Sequence, residues 1–248
     1  MKRLIRYALS AWVLVDALAA QDPGSLLGIS VTPSKGSASL SVPMQIIVML
    51  TLLAILPAVI MSVTPFLRIT VVLHFLRQAL NTQGTPSNQV LIGLALFLTL
   101  VIMQPVVTDM YHKGWEPLEA GQATWEQAWS DGSQPLKTFL LRYVREKDVR
   151  LFLDISHTPV PRDRSGLGLG ILMPAYVLSE LKTGFQIGAI LFLPFLVIDL
   201  VVASVTLSIG MVQLPPIMLS APFKILLFVL VDGWNLVVGS LMRSFYPG

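Results

Sequence analysis

Two charges interrupt the longest apolar runs of this chain. Asp199 lies in LFLPFLVIDLVVASV, residues 191–205, and Lys224 lies in SAPFKILLFVLVDGW, residues 220–234. A lone carboxylate or ammonium at membrane depth costs about 3 kcal/mol or more, so such groups pair with each other or face water. The midpoint between the two positions falls at Met211–Val212, inside the turn GMVQLPP. A helical hairpin folded at that turn therefore sets residue 199 opposite residue 224, and Asp199 and Lys224 are expected to form an ion pair, between helices of one chain or between adjacent chains. Two other chemistries are open to the same residues. Asp199 can serve as a proton-relay carboxylate, or either charge can lie near a membrane surface and snorkel to it. Met211 sits at the hairpin tip, between Gly210 and the Pro215–Pro216 pair, where a soft, polarizable side chain suits a deformable seal, although most methionines only pack. Glu180, with Lys182 in SELKTG, and Asp232 in VDGW are weaker signals; Asp232 is placed to cap or break the last helix.

Other chemistry is not supported. The three histidines, His74, His112 and His157, have no second ligand at helical spacing, and the chain has no cysteine, so neither a metal centre nor a disulfide is expected. SGLGLG at 165–170 follows no strand and lacks the lysine of a phosphate loop; it reads as a flexible lead into ILMPAYVLSELK. No nucleophile elbow or nucleotide signature is present. The expectation is a protein that is not an enzyme and needs no cofactor. A net charge of +3 is too small to indicate a nucleic-acid partner.

The elements that must hold the charges are apolar helices. With 54% hydrophobic and 12% charged residues and a mean hydropathy of +0.73, the chain is half as charged as a soluble domain and reads as an integral membrane protein. Four stretches are long enough to cross a bilayer: Met44–Val63, Val90–Val107, Phe185–Val212 and Ile217–Met242. Pro57, Pro105, Pro174, Pro194, Pro215, Pro216 and Pro222 lie in or beside them, so bent or broken helices that face protein or an aqueous cavity are expected rather than independent rods. The predicted class is an all-α membrane protein of bent helical hairpins, with a helical polar segment between the second and third hydrophobic stretches.

The predicted divisions are a signal peptide (1–20), a flexible linker rich in Ser, Gly and Pro (21–43), a first membrane hairpin (44–107), an extracytoplasmic segment (108–184) and a second membrane hairpin (185–248). Lys2, Arg3 and Arg6, a short apolar core and small residues near position 20 carry the signal-peptide reading; an uncleaved anchor helix is the alternative. The stretch TPFLRITVVLHFLRQALNTQGTPSNQ carries Arg68 and Arg77 and no acid, which makes it cytoplasmic by the positive-inside rule. The polar segment, with nine acids and eight bases from Asp109 to Arg164, then lies on the far side, in agreement with an exported N-terminus. In SQPLKTFLLRYVREKDVRLFLDIS, Leu136, Leu140, Tyr143 and Val144, followed by Leu151 and Ile155, predict an amphipathic helix.

Three long pieces carry a resemblance. TPFLRITVVLHFLRQALNTQGTPSNQVLIGLALFLTLVIMQPV, PAYVLSELKTGFQIGAILFLPFLVIDLVVASV and LPPIMLSAPFKILLFVLVDGWNLVVGSL are similar to the FliP family of flagellar type III export-gate proteins, related to the SctR/SpaP proteins of injectisomes. The similarity covers roughly residues 42–246, and the signal peptide favours the flagellar branch. It implies a pore-forming subunit in the bacterial inner membrane at the flagellar basal body. Such subunits form a homopentamer that joins FliQ- and FliR-like subunits, is completed by FlhA and FlhB, and conducts unfolded flagellar subunits. The resemblance also implies that the acid and lysine at Asp199 and Lys224 bridge neighbouring subunits. It implies further that the loop Met211, Val212, Gln213 is the pore constriction, where the family has a run of methionines and this chain keeps only the first. The readings that compete with it are a secondary transporter using Asp199 as its coupling carboxylate, and a membrane-embedded scaffold or enzyme subunit.

Overall fold

The computed structural model describes residues 42–248 except 83, 162, 211–214, 247 and 248. Every regular element among the described residues is helical, as the all-α expectation requires. The chain divides into two units, Met1–Leu53 and Ala54–Gly248. In the first, the described residues open α1 (Val42–Val63), and its apolar side chains Ile46, Leu50 and Leu53 are exposed.

The second unit carries the remaining helices: α2 (Phe66–Leu80), α3 (Asn88–Met110), which passes through a π turn (Tyr111–Trp115) into α4 (Glu116–Glu119), α5 (Trp125–Tyr143), α6 (Glu146–Ile155), α7 (Leu169–Ser208), α8 (Pro216–Leu230) and α9 (Gly233–Phe245). Three helical stretches are long and apolar enough to cross a membrane: Pro43–Val63, Asn88–Glu119 and Leu169–Ser208. The pair α8 and α9 passes the same test only as one span bent by 66°.

The core is organised around α2, which the sequence presented as a loop between spans. Its residues Ile69, Val72, Leu73, Leu76 and Ala79 recur at helical spacing and are fully or almost fully buried, chiefly against α7 and α3. Contact with α7 is close because α7 presents glycines there: a Cβ at Gly188 would stand 2.6 Å from the Phe75 ring, and one at Gly184 3.2 Å from Val71.

Two further differences from the sequence expectation have local causes. The amphipathic stretch 133–156 is two helices rather than one. The backbone is extended at Val144 and Arg145, which resets the helical phase, so that Val149 and Leu153 are buried while Leu151 and Ile155 face outward. Ser179 fixes this break: its hydroxyl accepts from the Arg145 N–H at 3.0 Å and donates to Asp148 at 2.6 Å. Of the prolines singled out above, only Pro215 and Pro216 stand at a break, at the start of α8. Pro57, Pro105, Pro174, Pro194 and Pro222 all lie within continuous helices, α7 running unbroken for 40 residues across the boundary expected at 184/185. The sharp bend comes at Val231–Asp232, in agreement with the reading of Asp232 as a cap or break of the last helix; there Asp232 takes φ 51° and Gly233 lets the Phe228 ring approach to 2.2 Å of where a Cβ would sit.

Candidate functional site

The antiparallel hairpin of α7 and α8 carries the two charges singled out above. Asp199 lies about two and a half turns from the C-terminus of α7 and Lys224 near the middle of α8. The Lys224 ammonium donates to Asp199 Oδ2 at 2.6 Å, with Lys224 almost wholly buried and Asp199 mostly so. Ser220, one turn before Lys224 on α8, donates to the other carboxylate oxygen at 2.5 Å. Both oxygens of Asp199 are therefore occupied.

A third element enters that the sequence did not predict. Lys224 also donates to the Ala79 carbonyl of α2 at 3.0 Å. This carbonyl belongs to the last turn of α2, where carbonyls have no partner within the helix and the helix dipole favours a cation. Asn81, the left-handed cap of α2, donates through Nδ2 to Ile217 O at the start of α8, also at 3.0 Å. Lys224 thus joins α2, α7 and α8 at one point.

A second buried ion pair lies further toward the N-terminus of α7. Arg68 of α2 bonds Glu180 of α7, with both side chains almost inaccessible. The same guanidinium donates to Ser244 Oγ at 3.2 Å and stacks over the Phe245 ring, 4.0 Å from its centroid. Tyr143 of α5 donates to the Phe245 carbonyl at 2.5 Å, so α2, α5, α7 and α9 meet around Arg68. Sequence reading ranked Glu180 as a weak signal and treated Arg68 as a loop cation. The available clue was that Arg68 lies in an acid-free stretch of helical periodicity, where only a distant acid can neutralise it. Burial of Arg68 also removes one of the two cations on which the expected orientation rests; Arg77 remains, bonded to Asn88 Oδ1 at 2.6 Å.

Met211, Val212 and Gln213 lie outside the described residues, as does the expected signal peptide at 1–20. The elements on either side of that loop are in place: α7 ends at Ser208, Gly210 has φ 80°, and α8 opens with Pro215 as its N-cap and Pro216 in its first turn. Among the described residues no cluster of His, Asp and Glu is arranged to hold a metal ion.

Comparison with known proteins places this geometry in a sequence context. The sequence profile of the FliP family matches residues 49–241. A flagellar biosynthetic protein FliP from Pectobacterium carotovorum subsp. carotovorum is 44% identical over 245 residues, 98% of this chain and 94% of its own length. The protein of that name from Bacillus subtilis is 44% identical over 217 residues, 88% of this chain and 98% of its own. That from Treponema pallidum is 39% identical over 236 residues, 93% and 87% respectively.

Proposed function

The chain belongs to the FliP family, and we propose that it acts there as a pore-forming subunit of the flagellar type III export gate, passing unfolded flagellar subunits across the inner membrane. The observation that carries this reading is the three-way joint at Lys224. It clamps the hairpin whose tip is the loop 211–213, and a constriction loop needs such a rigid base.

The exposed apolar faces of α1, α3 and α7 are compatible with both lipid and neighbouring subunits, as a membrane assembly requires. Homo-oligomerisation, FliQ- and FliR-like subunits, and FlhA and FlhB are the partners this reading names. The polar segment then lies on the extracytoplasmic side, at the flagellar basal body. A proton-carrying role for Asp199 is less well supported, because Lys224 and Ser220 occupy both of its oxygens. In this reading Asp199 and Lys224 order the hairpin within each chain, and any contact across subunits is built on that ordered hairpin.

Native mass spectrometry of the chain in mild detergent, alone and co-expressed with its small membrane neighbours, tests the proposal. A discrete homo-oligomer that gains those neighbours is the expected result. A persistent monomer that transports a small solute would overturn it.

A further inference from the structure

The aromatic residues of the polar segment are distributed unevenly. Trp115, Trp125 and Trp129 are 52%, 65% and 66% exposed and Tyr111 is 48% exposed, although large aromatic rings rarely stand so far out of a folded protein. They are also gathered in one place. Tyr111 and Trp115 are four residues apart on the π turn, and Trp125 and Trp129 are four apart at the start of α5. The two elements are pressed together by Gly114 and Gly132: a Cβ at Gly114 would come within 2.8 Å of the Gly132 Cα. The three indoles wall an apolar slot of about 300 Å³ that also reaches Met110 and Leu136.

Position along α3 identifies what these rings meet. The apolar run Val90–Val107 rises roughly 26 Å at about 1.5 Å per residue, close to the ~30 Å hydrocarbon thickness of a bilayer. Counted from Val90 on the same rise, Tyr111 stands at roughly 32 Å and Trp115 at roughly 38 Å; with a ~30 Å core and a headgroup layer of ~5–8 Å beyond it, Tyr111 falls inside the far headgroup layer and Trp115 at its outer edge. The exposed apolar surface of α3, including Phe97, Leu100 and Val107, leads directly into the cluster. Indole and phenol rings, apolar in the body and polar at one edge, concentrate at this depth. The polar edge is provided for: Trp115 Nε1 donates to Glu119 at 2.7 Å.

The structure points to a lipid-interface anchor formed by Trp115, Trp125, Trp129 and Tyr111, which holds the start of the polar segment in the headgroup layer where α3 leaves the membrane. Its partner is a zwitterionic phospholipid. The surrounding charges are mostly acidic, with Asp109, Glu116, Glu119, Glu126 and Asp131 against Lys113, and they repel an anionic lipid surface. The segment therefore begins on the bilayer and rises into the aqueous compartment only beyond α5, rather than being solvated from Thr108 onward.

Depth-dependent fluorescence quenching tests this. The full chain carrying W12F and W234F, which keeps only the three clustered tryptophans, is reconstituted in phosphatidylcholine vesicles. The expected result is loss of most emission with lipid brominated near the glycerol, little loss with lipid brominated near the chain end, and little quenching by aqueous iodide. Free quenching by iodide with no bromine effect would overturn the inference in favour of a solvated surface. Protection from both quenchers would overturn it in favour of burial against protein. If the double variant does not insert, fluorotryptophan-labelled native chain in vesicles with shallow paramagnetic lipids gives the same readout by resonance: broadening of three indole signals supports the anchor and its absence overturns it.

Discussion

Lys224 Nζ stands 2.6 Å from Asp199 Oδ2 and 3.0 Å from the carbonyl of Ala79, so one ammonium closes the α7–α8 hairpin and caps α2 at the same time. The two roles differ in what they require. The carboxylate supplies charge neutralisation, whereas the carbonyl requires a donor at that point. A cation on α8 meets both needs, and an anion in its place meets neither.

Asp199→Ala leaves the buried ammonium with only a carbonyl as partner, and removing one member of a buried pair costs about 3–5 kcal/mol. Lys224→Ala leaves a carboxylate that still accepts from Ser220 and is partly open to solvent, so its cost is the smaller of the two. The exchange D199K/K224D restores opposite charges but turns a carboxylate toward the Ala79 carbonyl, and it recovers only part of the loss. Thermal unfolding in detergent checks the order: Asp199→Ala lowest, then the exchange, then Lys224→Ala nearer the native chain. Equal midpoints for all three would refute the joint.

The Arg68–Glu180 pair behaves differently because it is incompletely satisfied: Arg68 Nε and Glu180 Oε2 have no hydrogen-bond partner among the described residues. Each single change, Arg68→Met or Glu180→Leu, strands a buried charge and costs about 3–5 kcal/mol. The double change replaces both with apolar chains of similar size and is expected to return most of the stability, as buried pairs often add little over hydrophobic packing. A double-mutant cycle read by denaturant or thermal unfolding gives the coupling. A double variant as unstable as the sum of the singles would contradict it.

The helical class, the apolar elements and the geometric opposition of residues 199 and 224 were legible in the sequence. They rest on long periodic or continuous apolar signals and on symmetry about a turn. Elements that depend on the third dimension were not. TPFLRITVVLHFLRQAL looked like a loop because two arginines framed it, yet one of them is neutralised by Glu180 from 112 residues away. The prolines overstated the breaks, since neighbouring packing keeps α7 helical through Pro174 and Pro194. The bend at Asp232 agrees with the reading of that residue as a cap or break of the last helix, but its cause, one positive φ and one glycine beneath a phenylalanine ring, leaves no periodic trace. Ser179, which resets the helical phase at Arg145, is an ordinary serine in the sequence and acquires its role only through contact.

Glycine contacts give two outcomes that differ in kind. Gly188→Ala pushes a methyl into the Phe75 ring, at a cost of about 1–3 kcal/mol. Because the obstacle is a side chain, adding Phe75→Leu relieves much of that cost. Gly114→Ala meets the Gly132 Cα and the Ala128 carbonyl, which are backbone atoms and cannot rotate aside. It is expected to cost at least as much, and no side-chain change in α5 should rescue it. Unfolding midpoints of the three variants distinguish the cases; rescue of Gly114→Ala by a neighbouring side-chain substitution would show that α5 and the π turn can separate.

The final prediction concerns the loop whose base the Lys224 joint holds. Asp199 and Ser208 are nine residues apart on α7, so the joint lies roughly 14 Å below the end of the helix at ~1.5 Å per residue. Removing residues 211–213 leaves that joint untouched, and the proposed assembly with FliQ- and FliR-like subunits should still form. If the loop is the constriction, the assembly loses its seal, and planar-bilayer recordings of the purified complex should show ion currents absent from the native one. Met211→Ala alone should leak less, because Val212 still supplies apolar closure and Gln213 can hydrogen-bond around the ring. A deletion complex that assembles normally and stays as tight as the native would place the constriction elsewhere, leaving the Asp199–Lys224–Ala79 joint a feature of folding rather than of gating.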